Sequence, residues 1–109
     1  MKHLYGDFSP TQIREVKKSI RGSIFFLLLC VDPKTASEYP NIDVNQCFDG
    51  LMQKLGGLNS LLLCPPELVI SMSLLQSALD TYNNPDFNFR TYRKLILDAG
   101  AEIQKIKEV

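Results

Sequence analysis

Apolar residues recur at spacings of three and four along four stretches of the chain, and turn-forming residues separate the stretches. The first stretch carries Ile13, Val16, Ile20, Ile24, Leu27 and Val31, one face of an α-helix. Its start is marked by Ser9-Pro10: serine accepts from an orphan backbone N–H, and proline is tolerated at the first helical position. Gln12 completes a capping box, and Phe8 with Ile13 stands where a hydrophobic staple closes over the first turn. Asp32-Pro33 ends the helix.

Asp43 caps a second helix with Gln46 three residues on, and Val44, Cys47, Phe48, Leu51, Met52 and Leu55 form its apolar face. Gly56-Gly57 stops this helix or bends it into Leu58–Leu63. Pro65-Pro66-Glu67 opens a third helix with Leu68, Met72, Leu75, Leu79 and Tyr82 as its stripe, and Asn83-Asn84-Pro85 closes it. The fourth carries Phe89, Tyr92, Ile96, Ala99, Ile103 and Ile106, a seam suited to bundle packing, with Gly100 beside it as a place for close helix approach. No segment alternates long enough to predict a strand. The expected fold is all-α, a compact and mostly antiparallel bundle of four or five helices filling one domain over residues 1–109, with 1–8 a loosely ordered lead-in.

Two helices depart from a plain amphipathic pattern. Arg14, Lys17, Lys18 and Arg21 share one arc of the first helix, and Phe25, Leu28 and Leu29 take over that arc in its second half. The third helix has no charge between Glu67 and Asp80, and Val69, Ile70 and Leu74 lie off its main stripe. A helix that is apolar all round is either central to the fold or covered by another chain. One reading makes the first and third helices the inner pair. The other builds a homodimer or partner interface from Phe25, Leu28, Leu29, Val69 and Ile70.

Composition narrows the function. Twelve basic and twelve acidic residues cancel, so no global field draws the chain to nucleic acid or an anionic membrane, and any such binding needs a local patch. Two basic clusters qualify: Arg14, Lys17, Lys18 and Arg21, and then Arg90, Arg93 and Lys94 beside Phe87, Phe89 and Tyr92. If they face the same side they can bind phosphates or an acidic protein. Solvated surface is the plainer reading, although basic residues at the start of the fourth helix oppose its dipole. The longest apolar run, Ile24 to Val31, falls far short of a membrane span, and the N-terminal residues lack the apolar stretch of a signal peptide. A reduced, cytoplasmic setting is the expectation.

The inventory for catalysis is thin. His3 is the single histidine and nothing local positions it, which removes nucleophile systems that need a histidine on the scaffold. Cys30, Cys47 and Cys64 stand seventeen residues apart among apolar neighbours, a spacing that suits buried thiols better than a zinc site; a disulfide stays open from sequence. Asn84, Asp86 and Asn88 imitate the first ligands of a calcium loop, but Phe89 stands where glycine belongs and Leu95 where the bidentate glutamate belongs. Asp98 and Glu102 are better explained by ion pairs with Lys94 and Lys105 than by a di-metal site. No phosphate loop or dinucleotide fingerprint occurs. No catalytic residue, cofactor or metal is therefore assigned.

By architecture alone a bundle of this size resembles small immunity or adaptor proteins. The expected function is a non-enzymatic protein–protein interaction module of adaptor, regulatory or immunity type, self-associating as a homodimer. The rival is a nucleic-acid-binding accessory protein that uses the two basic clusters.

Overall fold

The computed structural model describes residues 2–3, 6–7, 9–61 and 65–106. It forms an all-α bundle of four helices: α1 (Pro10–Leu29), α2 (Val44–Leu61), α3 (Pro66–Tyr82) and α4 (Phe89–Gln104). Ahead of them Lys2–His3 (β1) pairs antiparallel with Gly6–Asp7 (β2), Lys2 opposite Asp7 and His3 opposite Gly6. Two-residue strands are too short for an alternating pattern to announce, so the expected loose lead-in gave no hint of this ladder.

The helix starts are chemical. Ser9 Oγ accepts from the Gln12 N–H at 3.1 Å while Gln12 Oε1 accepts from the Ser9 N–H at 2.9 Å, the reciprocal box expected there. The staple residue Phe8 lies outside the described residues. Asp43 Oδ1 accepts from the Gln46 N–H at the head of α2, and Asn88 Oδ1 from the Thr91 N–H at the head of α4. Helix α3 starts on Pro66 with no side-chain cap. Gly56-Gly57 does not end α2, which runs on to Leu61. Between α1 and α2 the chain makes one 3-10 turn at Ala36–Glu38, and Thr35 Oγ1 donates to the Leu29 carbonyl.

Side-chain bonds between helices fix their directions. Tyr92 Oη donates to the Leu27 carbonyl at 2.7 Å, and Lys17 Nζ to the Ile106 carbonyl at 2.6 Å, so α1 and α4 run antiparallel. Ser71 Oγ donates to the Ala99 carbonyl at 2.9 Å, tying the start of α3 to the later half of α4. Asn83 Nδ2 donates to Asn45 Oδ1, joining the end of α3 to the start of α2. Around the bundle the order is α1, α4, α3, α2. The α3–α4 and α1–α4 seams are the most extensive, and α1–α2 is the sparsest.

Helices α1 and α3 therefore face each other across a diagonal. They are not a packed inner pair, which corrects the first reading of their apolar surplus. Each helix instead sends one stripe inward: Ile13, Ile20, Ile24 and Leu27; Val44, Phe48, Leu51 and Leu55; Leu68, Leu75 and Ala78; Tyr92, Ile96, Ala99 and Ile103. Burying an aliphatic or aromatic side chain is worth about 1.5–3 kcal/mol, so these stripes hold the bundle together.

Candidate binding surfaces

Lys17 leaves the basic cluster in which the sequence placed it. Its side chain is buried, 6% exposed, and its ammonium sits on the carbonyl of Ile106 just past the end of α4. The last carbonyls of a helix lack intrahelical donors and carry the negative end of its dipole, so a lysine there closes the helix. At about 100° per residue Lys17 lies between the core stripe of α1 and the arc of Arg14 and Arg21, which turns it onto α4.

The other cations of the two clusters flank one seam. Arg14, Lys18, Arg21, Phe25 and Leu28 are spaced by four, three, four and three, a single stripe on the α4 side of α1. Arg90, Arg93, Leu97, Gly100 and Gln104 make the matching stripe on α4. The stripes meet where a methyl built on Gly100 would stand 3.5 Å from the Phe25 ring. That is ordinary van der Waals distance, so the close approach expected at Gly100 is real but does not demand glycine. Arg21 lies over Phe25, its guanidinium carbon 5.7 Å from the ring centroid, and its Nε is shielded with no hydrogen-bond partner. Arg14, Lys18, Arg90 and Arg93 are exposed. Lys94 stands off this stripe and pairs with Asp98 at 3.0 Å.

The five apolar interface candidates are not brought together. Phe25 and Leu28 are half-buried, Leu28 against the core, while Leu29, Val69 and Ile70 are exposed. Leu29 lies at the end of the bundle where Leu27 meets Tyr92; Val69 and Ile70 lie near the other end, beside Ser71, on the diagonal helix. Two residues in succession on α3 also diverge by about 100°. The five are divided between two helices that share no extensive seam.

What sequence reasoning missed is a groove between α1 and α2. Gln12, Glu15, Val16, Ser19 and Ile20 face Gln53, Lys54, Gly57 and Leu58 across a cleft of about 660 Å³. It continues into a second of about 560 Å³, where Ser19, Gly22, Ser23 and Phe26 face Gln46, Cys47, Gly50 and Leu51. Together they span about 20 Å of α1. A methyl built on Gly22, Gly50 or Gly57 would meet nothing within 4 Å. The available signal was the glycine and serine content of one arc of α1 and the glycines on one arc of α2, at positions where an isolated helix would favour alanine.

The chemistry outside these surfaces is quiet. Cys30 and Cys47 are free and half-buried; burial first, and then the neighbouring Cys47, push the Cys30 thiol above its ordinary range. A protonated thiol is a poor nucleophile. Cys64 lies outside the described residues, as does the side chain of His3. No group of three or more potential metal ligands gathers among the described residues. Asn84 Oδ1 accepts from the Asp86 N–H, so the calcium-like run forms a turn. Lys94–Asp98 and Glu102–Lys105 form the expected surface pairs. No helix among the described residues is long and apolar enough to cross a membrane.

The chain matches no protein-family model, no curated protein and no solved structure.

Proposed function

We propose that this chain is a non-enzymatic interaction module of the cytoplasm, and that it self-associates by laying the α1–α2 face of one copy on that of a second. The observation that carries this reading is the groove. Mid-helix glycine costs roughly 0.5–1 kcal/mol relative to alanine, and at Gly22, Gly50 and Gly57 no contact among the described residues accounts for it. Small residues on facing helices let backbones approach closely, so the cost has a reason if another helix lies there.

The charges on this face favour a second copy over an unrelated partner. The groove holds one acid, Glu15, and one base, Lys54; its other polar lining is uncharged Gln12, Ser19, Ser23, Gln46 and Gln53. A two-fold axis presents the same patch to itself, so a patch with one charge of each sign can set Glu15 of one copy beside Lys54 of the other. Free thiols at Cys30 and Cys47 are in keeping with a reducing compartment.

The test is molar mass in solution by light scattering at low and high salt. The expected result is twice the 12.3 kDa of one chain, retained at high salt. Gly50 has open space around it, so Gly50→Arg should keep the helical circular dichroism signal and yield a monomer. A monomer in the parent protein, or a dimer that survives Gly50→Arg, overturns the reading.

A further inference from the structure

The neutral net charge hides a segregated one. The stripes bordering the α1–α4 seam carry Arg14, Lys18, Arg21, Arg90 and Arg93 with no aspartate or glutamate. The acids of these two helices point elsewhere: Glu15 lines the α1–α2 groove, Asp98 holds Lys94, and Glu102 holds Lys105. Helix α3, on the far side of the bundle from α1, has Glu67 and Asp80 and no base.

We infer that the α1–α4 face binds the phosphate backbone of duplex nucleic acid without reading its sequence. Four of the five cations are arginines, whose planar fork suits phosphate oxygens. They are set on two rigid antiparallel helices over about 20 Å, a length along which a duplex presents roughly a dozen phosphate charges. Arg90 and Arg93 stand in the first turns of α4, which hold no acid, so they add to the positive end of the helix dipole there. Within the chain that placement is unfavourable; opposite a polyanion both terms turn favourable.

Two other occupants fit the face less well. The apolar residues between the cations, Phe25, Leu28 and Leu97, are half-buried against the bundle, so they present little area to a lipid surface. No exposed aromatic stands in the stripes for an unpaired base to stack on, which favours a duplex over a single strand. This face lies on the opposite side of α1 from the groove, so the inference does not rest on self-association.

Fluorescence anisotropy with a labelled mixed-sequence DNA duplex of about 20 base pairs tests it. Four phosphate contacts per bound chain, from Lys18, Arg21, Arg90 and Arg93, predict a log–log salt slope of about −3.6, hence a weakening of about 150-fold between 50 and 200 mM salt. The exposed pair Lys18→Glu with Arg93→Glu should weaken binding more than tenfold and make the slope shallower by about two, with unchanged circular dichroism. Lys34→Glu, an exposed lysine on the loop after α1, should bind as the parent does. No duplex binding at 50 mM salt overturns the inference. So does binding that the double variant leaves intact, or capture by phosphatidylserine vesicles without capture of the duplex.

Discussion

Helix α1 has two neighbours, and it treats them differently. Against α4 it is closed by buried bonds at both ends, Lys17 to the Ile106 carbonyl and Leu27 to the Tyr92 hydroxyl, with Phe25 lying across Gly100 between them. Against α2 it leaves a cleft bordered by serines and glycines. One helix thus uses large and polar side chains to lock one seam and small ones to leave the other open. An open seam costs stability at each glycine and forfeits dispersion contacts along its length. The proposed second copy would restore such contacts along α1 and α2.

The closed seam should break first at Lys17. Replacing it by methionine keeps the stem's packing and removes the donor from a buried carbonyl at the end of α4. Hydrogen bonds to charged groups contribute about 1.5–3 kcal/mol, so Lys17→Met should destabilise by about 2–3 kcal/mol in urea unfolding. A loss within about 0.5 kcal/mol would show that water takes over the carbonyl and that the seam is held by packing alone.

Tyr92 is the second bolt, with a smaller expected effect of about 1 kcal/mol for Tyr92→Phe, since a neutral hydroxyl–carbonyl bond is lost and the ring remains. It also carries a signature in pH. Burial first, and then the nearby Cys30, Tyr82 and Cys47, hold the phenol well above its ordinary value of 10. The folded state therefore keeps this proton where the unfolded chain has released it. Its contribution is complete below pH 10 and declines as pH rises beyond it. Stability measured from pH 9 to 11 should fall more steeply for the parent than for Tyr92→Phe; parallel curves would place the alkaline loss on other groups.

The bundle was legible because its signals are local. Ser9-Pro10 with Gln12, Asp43 with Gln46 and the prolines at 65 and 66 announce helices within a few residues, and the inward stripes follow from a 3.6-residue period. Which seam is tight is not local. Lys17 shares an arc with Lys18 and Arg21 in the sequence, and only the position of Ile106, 89 residues away, shows why one of them is buried. Val69 and Ile70 read as surplus beside Phe25 and Leu28, yet the order of helices around the bundle sets α3 diagonal to α1. Glycines in α2 read as a possible stop, because periodicity cannot distinguish a helix that ends from one that runs on with a bare face.

The smallest expected effect decides most directly between an empty groove and an occupied one. Alanine at Gly22 adds a methyl that meets nothing within 4 Å, and at Gly100 one that just touches Phe25. Both substitutions should stabilise the chain by roughly 0.5–1 kcal/mol, because each removes backbone entropy from a helix and neither forces a clash. Their effects on association should differ. Gly100 belongs to the closed seam, so Gly100→Ala should leave the dimerisation constant unchanged. Gly22 lies where a second copy is proposed to approach, so Gly22→Ala should raise the melting temperature at dilution yet weaken dimerisation in sedimentation equilibrium. Equal behaviour of the two variants would mean that the groove faces water, and its glycines would then need another explanation.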